Sequence, residues 1–282
     1  MIVRSCVGPA DIERLENEAI LHRTPCGTGN LTWRQWGKGP PLILLHGGFG
    51  SWKHWVRNVG ELSKSFTVYA ADLPGLGDSD PGPEPITART LATIFSEGID
   101  RLVGKDERMY IGAFSLGAAI SAPLICMLGD RVRHAILIGP GGLGSLWHNS
   151  IEKLRRRSST MTEEEQREVI RYNLAFSMIA NRELIDEDTI SLQFELLAQK
   201  RRLIGLPISK SSIVFDCLPE IGDRTTFVWG ENDPYPTPDL ETVIKKFHGD
   251  VPGVDIRIID GVGHWANFEA DEIVSDMFRD ML

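Results

Sequence analysis

The chain contains 282 residues, of which 42% are hydrophobic and 24% are charged, and its net charge is −9. This length suits one large α/β domain with room for an insertion, and such a domain buries a sizeable core without disulfide or metal staples. The acidic balance argues against a nucleic-acid-binding surface, because such a surface needs clustered Lys and Arg; the short basic runs at 155–157 and 200–202 are interpreted as solvated helix faces and ends.

The beginning of the chain and its cysteines bear on the cellular compartment. Residues 1–19 lack the long apolar stretch of a signal peptide. The four cysteines include no Cys-x-x-Cys pair that would indicate a metal or redox motif. We therefore expect a cytoplasmic protein with reduced thiols.

Strand-like runs recur along the chain, with helical stretches between them. Residues 18–23 and 31–36 flank the turn-rich segment 25–30 and predict a hairpin. Further strand-like runs follow at 42–45, 66–71, 109–114, 134–138, 225–229 and 254–259. Several of these runs are apolar throughout, as strands covered on both faces must be. Alternation of these runs with helices predicts an α/β fold with a mostly parallel sheet flanked by helices.

Residues 110–129 form an uncharged stretch that is long enough to span a membrane. The glycines, serines and proline inside it favour a strand, a turn and then a helix instead. A strand and a helix in the middle of a parallel sheet would be equally apolar. We therefore expect no membrane association.

The alternation of strands and helices stops between about residues 144 and 215, where the sequence is charged and helical in pattern. Thr162–Glu165 is a capping box that predicts the start of a helix. A second helix is predicted by three apolar residues at helical spacing: Ile190, Phe194 and Leu197. We predict a helical cap at 144–215, inserted into a core domain formed by 1–143 and 216–282.

Ser115 lies where a predicted strand runs into a predicted helix, within Ile111–Ala118. This order is typical of the nucleophile elbow, a tight turn that exposes a serine hydroxyl at the end of a strand. The turn needs small residues two positions before and two after the serine, and Ala113 and Gly117 meet that need, with Ala in place of the usual Gly. The alternative is a chance small-Ser-x-Gly match in a core strand.

A glycine-rich segment, His46–Gly50, follows the apolar run 42–45. Glycines let the backbone turn sharply and point N–H groups at a substrate oxyanion. We predict that the oxyanion hole is formed by the N–H groups of Gly48 and of Leu116, the residue after the proposed nucleophile. His46 is interpreted as a structural side chain under this loop.

Two later strand ends supply an acid and a histidine, Asp233 and His264. Each alone is a plausible turn or loop residue, but both lie just past strand ends, where open α/β sheets place their sites. The order Ser, Asp, His is the chain order of α/β-hydrolases. Together with the elbow and the glycine-rich segment, the pattern predicts a catalytic triad of Ser115, Asp233 and His264.

Residues 139–144 formally match the GxGxxG pattern of dinucleotide sites. Such a site needs a helix opening at the glycines and an acid at the end of a following strand, whereas this chain has Pro140 and a cap-like region there. The seven histidines are scattered, without metal-ligand spacing. We expect neither a cofactor nor a metal.

The chain resembles the α/β-hydrolase superfamily over nearly its whole length. In motif it is most similar to the meta-cleavage-product hydrolases, serine enzymes that cut a C–C bond in vinylogous 1,5-diketones from aromatic-ring breakdown. The similar segments are Leu45–Gly48, Leu137–Gly144 and Gly263–Glu269. The resemblance implies that Trp265 lines the substrate pocket beside His264.

Two positions depart from that family. It usually has Asn immediately before the nucleophile, where this chain has Phe114, as in cofactor-free haloperoxidase and esterase relatives. It also carries a cap arginine that grips the substrate carboxylate, at about the position of Gln193 here. Two alternatives follow from the missing arginine. Either the substrate lacks that carboxylate, or Arg171 or Arg182 binds it instead.

The sequence thus predicts a serine hydrolase that cleaves a small-molecule carbonyl substrate, with a carboxylic ester preferred. C–C bond hydrolysis is the alternative, and a non-catalytic ligand receptor of the same fold is a third. The sequence does not determine the oligomeric state, and a homo-oligomer is one possibility. The candidate substrate-binding residues are Phe49, Phe114, Trp147, Phe176, Phe194 and Trp265.

Overall fold

Eight strands form one sheet in the computed structural model, which describes residues 8–147, 153–198 and 205–282. The strands are β1 (Ile20–Cys26), β2 (Gly29–Trp36), β3 (Pro41–Leu45), β4 (Thr67–Ala71), β5 (Met109–Phe114), β6 (Val132–Ile138), β7 (Thr225–Gly230) and β8 (Asp255–Ile259). They lie side by side in the order β1-β2-β4-β3-β5-β6-β7-β8. Only the pairs that involve β2 are antiparallel, so the predicted mostly parallel α/β sheet is confirmed.

Helices cover both faces of this sheet. They are α1 (Pro9–Glu18), α2 (Val56–Leu62), α3 (Ala88–Leu102), α4 (Leu116–Leu128), α5 (Glu163–Ser177), α6 (Glu187–Ala198), α7 (Gly205–Ser209), α8 (Ile213–Ile221), α9 (Leu240–Asp250), α10 (Ala266–Glu269) and α11 (Asp271–Arg279). Because strand side chains alternate between faces, Ile43 and Leu45 pack with α3, α4, α8 and α9, while Leu42 and Leu44 pack with α2 and α11.

The predicted hairpin is present, but its turn is shorter than the turn-rich segment suggested. Cys26 pairs with Gly29, which leaves two residues in the turn, and Gly27 has a φ of +60°. Positive φ is what two-residue hairpin turns require of a central residue. Pro25 continues the strand because β1 is an edge strand, where a missing N–H is tolerated.

The long uncharged stretch forms β5 and α4, buried in the middle of the sheet as expected. Both elements are buried apart from the last turn of α4, where Met127 is exposed, and this burial explains the absence of charge. Across the described ranges, no helix has both the length and the apolar character that a membrane span requires.

Helices α5, α6 and α7 lie between β6 and β7, where the cap was predicted, and the segment that contains them is called the cap below. The capping box of α5 forms: Glu165 N–H donates to Thr162 Oγ1 at 3.2 Å, and Thr162 N–H donates to Glu165 Oε2 at 2.7 Å. The predicted boundary after residue 215 falls inside α8, whose apolar side packs with α4 as part of the core. The basic run 200–202 lies outside the described residues.

Lys53, which the sequence did not single out, lies in the loop after β3 and forms ion pairs with both α1 and α6. The Lys53 ammonium lies 3.0 Å from Glu16 of α1 and 2.6 Å from Glu195 of α6, with its side chain 4% exposed. A buried ammonium needs such partners, because an unpaired one is costly to desolvate. These ion pairs therefore hold α1, the cap and the loop after β3 in one arrangement.

Candidate active site

Ser115 occupies a strained turn between β5 and α4. Its φ is +52° and its ψ is −110°, a conformation that non-glycine residues rarely adopt. Three main-chain hydrogen bonds hold it: Ser115 N–H donates to Ile138 O at 2.8 Å, and Ser115 O accepts the N–H groups of Gly141 at 3.1 Å and Ala119 at 3.2 Å. A Cβ on Gly117 would lie 2.6 Å from the carbonyl oxygen of His46, so the turn accepts only glycine there.

The structure brings Ser115, His264 and Asp233 into one hydrogen-bonded chain. His264 Nε2 lies 3.0 Å from Ser115 Oγ, and His264 Nδ1 lies 2.7 Å from Asp233 Oδ2. An ionised carboxylate only accepts, so the imidazole proton is on Nδ1 and Nε2 is free to accept from the serine hydroxyl. The second carboxylate oxygen accepts the N–H of Tyr235 at 3.0 Å, which fixes the plane of the carboxylate.

Small and aromatic residues enclose His264. Its ring centroid lies 4.9 Å from that of Phe114 and 4.3 Å from that of Tyr235. Gly139 has a φ of +49°, and a Cβ there would lie 2.8 Å from His264 Nδ1 and 3.1 Å from Asp233 Oδ2. This glycine therefore makes room for the His–Asp pair.

The glycine-rich run 139–144 thus has a local structural explanation. Gly139 meets the imidazole, and a Cβ on Gly142 would lie 2.8 Å from Ile213 of α8. Both glycines have positive φ, at +49° and +80°. Within the described residues, no group of three or more His, Cys, Asp or Glu side chains could hold a metal ion.

The loop after β3 lies against the serine. A Cβ on Gly47 would be 3.2 Å from Ser115 Cβ, and a Cβ on Gly48 would be 3.9 Å from the Leu116 side chain. Leu116 is the first residue of α4, so its N–H has no partner within the helix and lies at the positive end of the helix dipole. Gly48 and Phe49 are partly exposed, and Phe49 has a φ of +59°.

His46 fixes the peptide that carries the Gly48 N–H. His46 Nδ1 donates to Gly47 O at 2.7 Å, while His46 Nε2 accepts from Leu73 N–H at 2.8 Å. Because C=O and N–H point in opposite directions across a trans peptide, the Gly48 N–H points away from His46. Burial lowers the pKa of His46, which keeps the ring neutral with one donor and one acceptor. Its interpretation as a structural side chain agrees with these contacts.

The candidate substrate-binding residues fall at different depths. Trp147 stacks on Tyr235 with 5.2 Å between centroids, so it is one ring removed from His264. Phe176 lines a cavity of about 330 Å³ that reaches His264. Phe194 instead lies beneath the Arg157 guanidinium, 5.0 Å from its ring centroid.

Phe114 and Trp265 lie beneath the site, where they cannot line an open pocket. Trp265 has no accessible surface, and Phe114 is 1% exposed. The indole N–H of Trp265 donates to His54 O at 3.1 Å, and its ring stacks on Phe268. An indole needs a partner for its N–H when buried, and here that partner turns the ring into the core.

Arg182 and Arg171 have different environments. Arg182 is exposed and lines the cavity beside His264 and Phe176. Arg171 is engaged in ion pairs with Glu168 at 3.0 Å and Glu187 at 2.8 Å. Within the part of the chain that the structure describes, Arg182 forms no ion pair, so only Arg182 offers a free guanidinium at the cavity.

Glu269 connects the cap to the loop of His264, a role that the sequence did not reveal. Its carboxylate accepts N–H groups from Gly263 at 2.8 Å, Ala180 at 3.0 Å and Asn181 at 2.5 Å. In addition, Trp265 N–H donates to Met178 O at 2.8 Å. The only signal in the sequence was the presence of Glu269 in the segment 263–269 that resembles the meta-cleavage-product hydrolases.

Comparisons with known proteins agree with this architecture. A 2-hydroxy-6-oxo-6-phenylhexa-2,4-dienoate hydrolase from Burkholderia cepacia is 24% identical over 266 residues, covering 87% of this chain and 88% of that protein. A naproxen esterase from Bacillus subtilis is similar in structure, with a TM-score of 0.75, 17% identity and coverage of 96% and 95%. A meta-cleavage product hydrolase from Pseudomonas fluorescens IP01 has a TM-score of 0.72, 17% identity and coverage of 92% and 96%.

These relatives share a hydrolase fold but differ in the bond they cleave, so the likeness alone does not identify the substrate. The model of the alpha/beta hydrolase family matches residues 42–276, which is most of the chain. The chain is therefore a hydrolytic enzyme that belongs to the alpha/beta hydrolase family.

Proposed function

We propose that the protein is a serine hydrolase in which Ser115 is the nucleophile, His264 the general base and Asp233 the residue that orients the imidazole. The observation that carries the proposal is the continuous hydrogen-bonded chain from Ser115 Oγ through His264 to Asp233, with links of 3.0 and 2.7 Å. Ser115 is partly exposed, whereas the other two residues are buried, so a substrate meets the hydroxyl first.

Each step of ester hydrolysis has a group in place. Ser115 Oγ attacks the acyl carbon and gives its proton to His264 Nε2, and the resulting imidazolium is stabilised by Asp233. When the tetrahedral intermediate collapses, His264 gives that proton to the leaving alkoxide. His264 then takes a proton from the water that attacks the acyl-enzyme. As the second tetrahedral intermediate collapses, His264 returns this proton to Ser115 Oγ, and the carboxylic acid product leaves.

The N–H groups of Gly48 and Leu116 are the donors proposed for the oxyanion. The first is oriented by the peptide that His46 holds, and the second lies at the start of α4 beside the nucleophile. Loss of one such donor typically costs about 10²–10³ in kcat, because the charge develops only in the transition state.

We propose a carboxylic ester with a neutral acyl group as the preferred substrate. The position before the nucleophile is Phe114, which presents a buried aromatic ring to His264 instead of a polar group. A carboxylate placed in such surroundings needs a charged partner, since a buried unpaired carboxylate is costly.

The ester proposal is tested by measuring kcat/KM for a short aryl ester and for a meta-cleavage dienoate on one enzyme preparation. We expect the ester to have the higher kcat/KM. A dienoate advantage of tenfold or more would refute the ester assignment. If the enzyme turns over neither substrate, both substrate assignments are refuted.

C–C bond hydrolysis is the second candidate, and Arg182 favours it. Arg182 lines the same cavity as His264 and forms no ion pair with another described residue, so its guanidinium is suited to a dienoate carboxylate. In that case Arg182→Ala should raise KM for the dienoate and leave KM for a neutral ester unchanged. Arg171→Ala is the matched control, because Arg171 is already paired with Glu168 and Glu187. Equal effects of the two substitutions would exclude Arg182 as the carboxylate anchor.

A further inference from the structure

His54 lies in the short helical turn Trp52–Trp55 that follows the glycine-rich loop, and it is 1% exposed. Its Nδ1 accepts the N–H of Gly47 at 3.2 Å. The ring proton is therefore on Nε2, the opposite tautomer to that of His46. Gly47 thus has its N–H held by one imidazole and its carbonyl oxygen held by another.

The other ring nitrogen of His54, Nε2, indicates that the histidine is needed for its Nδ1 contact. Nε2 is buried and has no hydrogen-bond partner among the residues that the structure describes. A buried, unpaired donor is unfavourable, and a leucine would fill a similar volume without it. The hydrogen bond from Gly47 to Nδ1 is the contact that a leucine cannot replace.

The loop is shaped around the His54 ring. A Cβ on Gly50 would lie 2.1 Å from Cε1 of His54, so the backbone at Gly50 passes directly over the imidazole. The ring also lies edge-on to Phe114, with 5.5 Å between centroids. The segment 47–50 therefore packs on the buried ring of His54.

The main chain of His54 contacts the loop that carries His264. Its carbonyl oxygen accepts Trp265 Nε1–H at 3.1 Å and Asn267 Nδ2–H at 2.8 Å. The His54 and Trp265 rings are also in contact, with centroids 4.9 Å apart. One residue thus connects the glycine-rich loop to the loop of the proposed general base.

We propose that His54 is a positioning residue. It holds the Gly47–Gly48 backbone in the geometry of an oxyanion hole and fixes the position of that loop relative to the loop that carries His264. This inference rests on the proposed serine hydrolase function. Burial lowers the pKa of His54 well below its usual value, with the neighbouring His46 and His264 adding to the effect, so the ring stays a neutral acceptor.

Two substitutions distinguish the effect of the hydrogen-bond acceptor at position 54 from the effect of side-chain volume. His54→Asn keeps an acceptor oxygen near the position of Nδ1, whereas His54→Leu removes it. With an aryl ester, we expect His54→Leu to lower kcat by about 10- to 100-fold with KM within about twofold, because an oxyanion interaction acts on the transition state. His54→Asn should recover most of the wild-type kcat. Affinity for an arylboronic acid, which forms a tetrahedral adduct with serine, should fall in parallel with kcat.

The control is His134→Leu, which removes a half-buried imidazole bonded to Thr226, away from the loop. It should leave kcat unchanged. If wild type turns over no ester and binds no boronic acid, the proposed function fails and the inference falls with it. If wild type is active and His54→Leu keeps its kcat and its boronic acid affinity, only the role of His54 is refuted.

A second measurement covers the case in which His54→Leu does not fold. Nitrogen-15 NMR of histidine-labelled wild type should show one imidazole, absent from His54→Asn, with its proton on Nε2 and an unprotonated Nδ1. This state should persist from about pH 7 to pH 5.5, since burial disfavours the charged form. A proton on Nδ1 of His54 would overturn the inference, because that nitrogen could no longer accept from Gly47.

Discussion

Replacement of Asp233 by Asn tests how the imidazole is oriented. Asp233 Oδ1 accepts the Tyr235 N–H at 3.0 Å, and Asp233 Oδ2 lies 2.7 Å from His264 Nδ1. In Asp233→Asn, the amide oxygen stays with Tyr235, because the opposite orientation would set two donors against each other. The amide NH₂ then faces His264 Nδ1.

That orientation moves the proton of the imidazole. Facing a donor, Nδ1 must become an acceptor, so the proton moves to Nε2, and Nε2 can no longer accept from Ser115. The same tautomer error costs on the order of 10⁴ in kcat in serine proteases with this triad, which equals about 5.5 kcal/mol of transition-state stabilisation. The fold should persist, since the contact with Tyr235 is kept.

The assay is kcat for an aryl ester, with circular dichroism to confirm folding. Glu231→Gln is the matched control: Glu231 lies in the same loop but accepts the N–H of Gly261 at 2.8 Å, a bond that Gln can also make. Its kcat should stay within about twofold of wild type. Full activity in Asp233→Asn, or a larger loss in Glu231→Gln, would refute the assignment of the acid.

Two further predictions concern the contacts around the site. Glu269→Ala should lower kcat/KM for esters, because it releases three N–H groups that join the cap to the loop of His264; unchanged kinetics together with an unchanged Tm would contradict this coupling. His54→Asn should reduce the pH dependence of stability. The lowered pKa of His54 means that only the unfolded state gains this proton as pH falls below about 6.5, so wild type should lose about 1 kcal/mol more than the variant between pH 7 and pH 5.5. Urea denaturation at both pH values measures the difference, and equal losses would show that the ring is not buried in the neutral form.

The parts of the site that follow from local chain geometry could be predicted from the sequence. The turn at Ser115 requires glycine at position 117, because a Cβ there would strike the carbonyl oxygen of His46. The capping box of α5 could also be predicted, because the two residues that form it are only three positions apart in the chain. Such patterns leave a direct trace in residue spacing.

Contacts between segments that are distant in the chain could not be predicted from residue spacing. Lysine is rarely buried in proteins, yet Lys53 is buried between α1 and α6. The resemblance to the meta-cleavage-product hydrolases implies that Trp265 lines the pocket, but its indole N–H donates to His54 O in the core. In both cases the partner is far away in the chain, and only the folded arrangement determines which way the side chain turns.

The central claim, that Ser115 is the activated nucleophile, is tested most directly by labelling with a fluorophosphonate followed by intact-mass measurement. The partly exposed hydroxyl, bonded to His264 at 3.0 Å, should react once per chain, and peptide mapping should place the adduct on Ser115. Ser115→Ala should remain unlabelled. Equal labelling of Ser115→Ala, or an adduct on a different serine of wild type, would contradict the account.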